Sequence, residues 1–166
     1  MNKLVAAFLL SALALTSCSK TDSPYRHEEF EIGHGKTLTL PVHKDMFFMH
    51  EAGADSVTMS AGEAVTLSVF FIDGADPQEL AEKEWDKAKA AYELVSDMQV
   101  SMHGGPLGFV TWAFTVTEHG MRRTRVYRHV PHGVGRAVIV TGYWPATADG
   151  QFLPILSRMA TEMDVK

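Results

Sequence analysis

The chain of 166 residues has a single cysteine, Cys18. One thiol excludes an intrachain disulfide and any multi-thiolate metal centre, so a folded domain here must be held together by its core. A positive balance is also missing: 15 basic residues stand against 20 acidic ones, a net charge of -5, which lacks the electrostatic footprint of a nucleic-acid binder. There is no Gly-x-Ser-x-Gly elbow, no His-Glu-x-x-His and no glycine-rich loop opening a helix. A hydrolase of the α/β type, a zinc protease of that motif and a dinucleotide site are thereby without sequence support. No internal repeat or low-complexity tract occurs, and the apolar run from Leu4 to Leu15 is too short for the roughly 20 residues that a bilayer-spanning helix requires.

That run has another use. Met1-Asn2-Lys3 gives a short basic start, the apolar stretch is broken only by Ser11, and Thr16-Ser17-Cys18 follows, the layout of an export signal. Leu15-Thr16-Ser17-Cys18 resembles the lipobox of bacterial lipoproteins, in which a branched apolar residue and two small ones precede the cysteine that is acylated. The resemblance implies cleavage after Ser17, lipid on Cys18 and no cofactor beyond that covalent lipid. Acyl chains contribute about 0.8 kcal/mol per buried methylene, so such an anchor would be long-lived. Ser19, rather than aspartate, follows the cysteine; by the sorting rule of enteric lipoproteins this implies the inner leaflet of the outer membrane, facing the periplasm. Losing Lys3 with residues 1–17 leaves 14 basic and 20 acidic residues, a net charge near -6.

Residues 18–27 are polar and aperiodic and read as a tether, leaving residues 28–166 as one domain, large enough for a self-sufficient core. Phe30 and Ile32, the turn Gly33-His34-Gly35, and Leu38 and Leu40 suggest a hairpin. Val57 to Ser60 and Ala64 to Ile72 read as strands joined at Ala61-Gly62-Glu63, with Met46-Phe47-Phe48-Met49 ambiguous. Asp76-Pro77-Gln78-Glu79 marks a helix start. Ala81, Trp85, Ala88, Tyr92 and Val95 then form one apolar stripe, predicting a helix to about Asp97. Val110, Trp112, Phe114 and Val116 alternate along a strand, His119-Gly120 turns it into Met121 to Val130, and Pro131-His132-Gly133-Val134-Gly135 turns that into Arg136 to Trp144. A closing helix follows Asp149, with Pro154 in its opening turn and Phe152, Ile155, Leu156, Met159 and Met163 on one side.

These elements predict an α+β fold, an antiparallel β-sheet sandwich with one long central helix and a C-terminal helix packed on the sheet. Their order, with Asp76-Pro77-Gln78-Glu79-Leu80 opening the helix and Gly108-Phe109-Val110-Thr111-Trp112 opening the meander, resembles the DcrB-like, PsbP-like group of small exported domains. That resemblance is architectural, covers residues 28–164 and brings no catalytic residue with it.

Three sets of residues invite a chemical reading. Ser101, His103, Gly104 and Gly105 superficially echo a serine and an oxyanion loop, but Pro106 follows and no activated nucleophile accompanies them. The eight histidines, His27, His34, His43, His50, His103, His119, His129 and His132, fall mostly at turns. Imidazole and thioether suit zinc or copper, so Met49-His50 and Met102-His103, with His129 and His132, are alternative ligands, though the spacing specifies no site. The third set is the strand Met121 to His129. Alternation places Arg123, Arg125, Tyr127 and His129 on one face, and Arg122 and Arg128 on the other with Thr124, Val126 and Val130. The first face is a basic, aromatic surface for a protein partner or anionic head groups, set against the plainer reading of a solvated face whose arginines pair with Glu118 or other local carboxylates.

No catalytic residue emerges, and the reading is a non-enzymatic, membrane-anchored periplasmic binding lipoprotein with a protein partner. Its finer form is an immunity-type inhibitor of a type VI secretion effector, by analogy of class. The alternatives are an envelope-maintenance lipoprotein, a His/Met metal-binding protein and an undetected hydrolase.

Overall fold

The computed structural model describes residues 23–32, 35–47, 49–74, 76–103, 108–132 and 136–166. The signal peptide, Cys18 with its lipobox, Gly33-His34, Phe48, Gly104-Gly105-Pro106 and Gly133-Val134-Gly135 lie outside the described residues. No helix among those described is long and apolar enough to cross a membrane.

The first hairpin forms as its alternation predicts. β1 (Tyr25–Ile32) pairs antiparallel with β2 (Lys36–His43), with Phe30 opposite Leu38. β1 begins at Tyr25, so Tyr25-Arg26-His27 belong to a strand rather than to the tether. β3 (Met49–Ala52), β4 (Ser56–Ala61) and β5 (Val65–Asp73) follow as a meander. Within it the ambiguous stretch resolves: Phe47 is buried in the core and Met49 opens β3.

Asp76 caps α1 (Pro77–Ala91), its carboxylate accepting from the Gln78 amide at 2.9 Å. The helix is six residues shorter than the stripe suggested. Tyr92 is already extended, and Leu94–Val95 form a short strand, β6. The stripe nevertheless reflects real packing, because Tyr92 and Val95 join Trp85 and Ala88 against Phe114 and Val116 after the helix has ended. Gln99–His103 forms a further strand, β7, which pairs with β8 (Phe109–Glu118) and is exposed along its whole length. β9 (Met121–Pro131) and β10 (Arg136–Pro145) complete the later meander. The two-residue loop between β8 and β9 needs positive φ at both positions, and His119 (+50°) and Gly120 (+77°) provide it. After a 3₁₀ turn, α2 (Asp149–Glu162) leads to β11 (Asp164–Val165), which pairs with β2. Pro154 is the sixth residue of α2, in its second turn rather than its first.

The large sheet runs β3-β4-β5-β10-β9-β8-β6 with β7 also on β8, and a smaller sheet runs β1-β2-β11. The two helices are nearly equal, 15 and 14 residues, and neither is central. α2 and the small sheet cover the inner face of the large sheet in one apolar cluster containing Leu38, Leu40, Met59, Val126, Val140, Trp144, Leu156 and Met159. α1 covers part of the outer face through the separate cluster around Phe114 and Val116. The α+β class and antiparallel pairing are as expected; the central helix is replaced by one helix on each face. Among the described residues every buried apolar one lies between Ile32 and Ala160, so the chain from Ser19 onward contains the whole of the described core.

Candidate functional site

Strand parity decides what the outer face offers to α1. β4 and β5 turn Ser56, Thr58 and Ser68 outward, with Thr58 Oγ1 and Ser68 Oγ 3.0 Å apart, and β10 adds Thr141, whose hydroxyl donates to the Ser68 carbonyl at 3.4 Å. These small side chains cannot fill the space beneath a helix. Around them stand larger ones: Phe70 on β5, Trp112 on β8, Tyr127 on β9 and Ile139 on β10. In its second half α1 packs on the sheet, where Ala88 meets Phe114 and Val116. Its first half, with Pro77, Leu80 and Ala81, roofs a cleft of about 550 Å³ whose rim carries Lys83, Glu84 and Lys87. That volume falls within the range of small-molecule sites, about 300 to 1,000 Å³.

A second hollow of about 180 Å³ lies further along α1, lined by Glu84, Lys87, Ala88, Ala91, Tyr92 and Arg125. Arg125 is held between rings, its guanidinium carbon 4.5 Å from the Tyr143 centroid and 5.4 Å from that of Tyr92, and it donates to the Tyr92 hydroxyl at 2.7 Å. Its Nε is buried without a hydrogen-bond partner, and among the described residues no carboxylate forms an ion pair with it. Lys87, by contrast, is paired with Glu84.

Arg123, Arg125, Tyr127 and His129 therefore do share a face, as alternation requires, but α1 half-covers it. Arg123 has its Nε 2.9 Å from Glu118 Oε2, donates to the Ala64 carbonyl at 3.1 Å and lies over Tyr143. This is the pairing that the plainer reading supposed. The Tyr143 phenol donates to the same Glu118 carboxylate, and burial together with that bond pushes it up to about 12. Tyr127 stacks near Phe114 and lines the cleft; burial raises its phenol, as does the neighbouring Glu84 carboxylate, against the opposing pull of Arg125. Burial lowers His129, with the Asp76 carboxylate acting the other way.

On the opposite face Arg128 is 3% exposed. Its Nε donates to Thr111 Oγ1 at 3.0 Å, an Nη donates to Ser157 Oγ on α2 at 2.9 Å, and the group lies 4.5 Å over Phe109. Desolvation lowers it to about 10. It ties α2 to the sheet and is not a surface for partners.

The described histidines do not converge. His50 is on β3 at one edge of the large sheet and His103 on β7 at the other. His50 Nδ1 is 3.0 Å from Glu28 Oε2, His103 stacks on Phe109 at 4.5 Å, and His132 meets Phe71 edge-on at 6.4 Å. Among the described residues no three His, Cys, Asp or Glu side chains gather where they would hold an ion. Ser101 Oγ and His103 Nε2 lie 3.4 Å apart on the exposed edge strand β7, with no carboxylate among the described residues bonded to that imidazole.

No family model matches the chain, and no curated protein matches its sequence. Solved structures do resemble it. The Ran-binding protein Mog1p of Saccharomyces cerevisiae aligns with a TM-score of 0.54 at 9% identity, covering 84% of this chain and 95% of its own. LpqN of Mycobacterium tuberculosis, involved in cell envelope biogenesis, aligns with a TM-score of 0.53 at 13% identity, covering 85% of this chain and 92% of its own. The cyanobacterial PsbP of Synechocystis sp. PCC 6803 aligns with a TM-score of 0.57 at 9% identity, covering 92% and 99%. At these identities the likeness concerns architecture, and the chain has the fold shared by Mog1p, LpqN and PsbP.

Proposed function

We propose that this chain is a non-enzymatic binding module of the cell envelope, tethered through lipid on Cys18 and using the cleft beneath α1 as its binding site. The observation that carries the reading is the cleft itself: a half-apolar, hydroxyl-floored space of about 550 Å³ between a helix and a sheet face too small-sided to fill it. The export signal and lipobox support the location, and LpqN supports an envelope-maintenance role, since a protein of the same fold is involved in cell envelope biogenesis. The fold lends the immunity-type reading no support, and we rank it below envelope maintenance.

Complementation tests the proposal. A deletion strain would be sensitised to general envelope stress and restored by the wild-type chain. It would not be restored by Leu80→Trp, which fills the cleft, nor by Cys18→Ser, which removes the anchor; normal levels of Leu80→Trp in the envelope would show that it folds. Full rescue by Leu80→Trp would refute the cleft as the site, and sensitivity to a single type VI effector alone would favour the immunity role.

A further inference from the structure

The two hollows along α1 share Glu84 and Lys87, so they are successive compartments of one trough with unlike ends. The larger is walled by Phe70, Leu80, Trp112 and Ile139. The smaller ends on Arg125, a guanidinium fixed between Tyr92 and Tyr143 with a buried, unbonded Nε. Resting on the cleft being the binding site, we propose that its ligand is an amphiphile with one hydrocarbon chain and a singly charged anionic head. The chain occupies the apolar compartment, and the head sits at Arg125 and Lys87.

Charge sets the head. Arg125 and Lys87 face the smaller hollow together with the one carboxylate of Glu84, a balance of one positive charge that a carboxylate or phosphodiester neutralises and a phosphomonoester dianion overshoots. A planar guanidinium already held by two rings loses little freedom on accepting such a group. Lys83, at the rim of the larger compartment, is paired with Glu79 at 2.7 Å, which leaves the hydrocarbon end without a free cation.

The test uses the chain from Ser19, which contains the whole of the described core, and follows tryptophan fluorescence, to which Trp112 in the cleft contributes, during titration below the critical micelle concentration. Dodecanoate and a lysophosphatidylglycerol of the same chain length are compared with 1-dodecanol. The anionic probes are expected to bind about tenfold more tightly than the alcohol, the yield of one charge-assisted hydrogen bond. Each methylene added from octanoate upward should strengthen binding by about two- to fourfold until the compartment is full. Lys87→Gln should bring dodecanoate toward the alcohol, and Leu80→Trp should abolish binding of every probe. Preference for the acid over the phosphodiester, or the reverse, identifies the head within this class. Equal binding of acid and alcohol, or no effect of Lys87→Gln, would overturn the anionic head. If no probe binds while Leu80→Trp still fails to complement, the cleft stands and the amphiphile falls; if no probe binds and Leu80→Trp complements fully, both fall.

Discussion

Gly142 is the closest approach on the inner face. A Cβ there would stand 2.0 Å from Trp144 Cζ3 and 2.8 Å from Leu156 Cδ1, because the buried Trp144 indole folds back along its own strand while its Nε1 donates to Asp149 at 2.7 Å. Gly142→Ala should therefore destabilise by about 2 to 3 kcal/mol, as overpacking does, read as a lower urea midpoint at unchanged slope. Tyr143 offers a pH test. The folded phenol keeps its proton to about 12, whereas an unfolded one releases it near pH 10. Its stabilising contribution is thus complete below about pH 10 and lost as pH climbs through 12. Arg128, lowered to about 10 by burial, acts in the opposite sense over the same window, so the comparison must be between variants. Tyr143→Phe should lose less stability than wild type between mildly and strongly alkaline buffer, and phenolate absorbance should lack one late-titrating group. An identical alkaline decline in both proteins would contradict the assignment.

Among the elements, α1 most affects the site, since its first half is the roof of the cleft. Asp76→Ala removes the cap on the Gln78 amide and should cost about 1 kcal/mol, measured by urea unfolding. The start of this helix was legible because Asp76-Pro77 is a local signal. Its end was not, because Tyr92 and Val95 continue to bury themselves in the Phe114 cluster after the backbone has become extended, and periodicity records burial rather than hydrogen bonding. β7 and β11 are harder to read: Val100 and Met102 do alternate with Gln99, Ser101 and His103, but over five residues that are all exposed, and Asp164–Val165 is two residues long, so neither run is marked by burial as β8, β9 and β10 are. Parity correctly grouped Arg123, Arg125, Tyr127 and His129. That α1 would settle over them is a tertiary fact, as is the cleft, whose walls come from α1 and five strands.

For the molecule as a whole, a lipid on Cys18 and a tether ending before Tyr25 would keep the trough within some tens of ångströms of the bilayer, at roughly 3.3 to 3.6 Å per extended residue. An amphiphile entering or leaving that bilayer would thus meet the site at high local concentration, whereas a purely soluble ligand would gain nothing from the anchor. The central claim is that the trough beneath α1 is where this protein binds, and in-cell photocrosslinking from its rim tests it most directly. A photoreactive phenylalanine analogue introduced at Lys83 in the full-length chain should capture a defined adduct. The same analogue at the exposed Glu29, on β1 of the smaller sheet and so across the large sheet from α1, should capture none. Equal capture from both positions, or capture from Glu29 alone, would contradict the account.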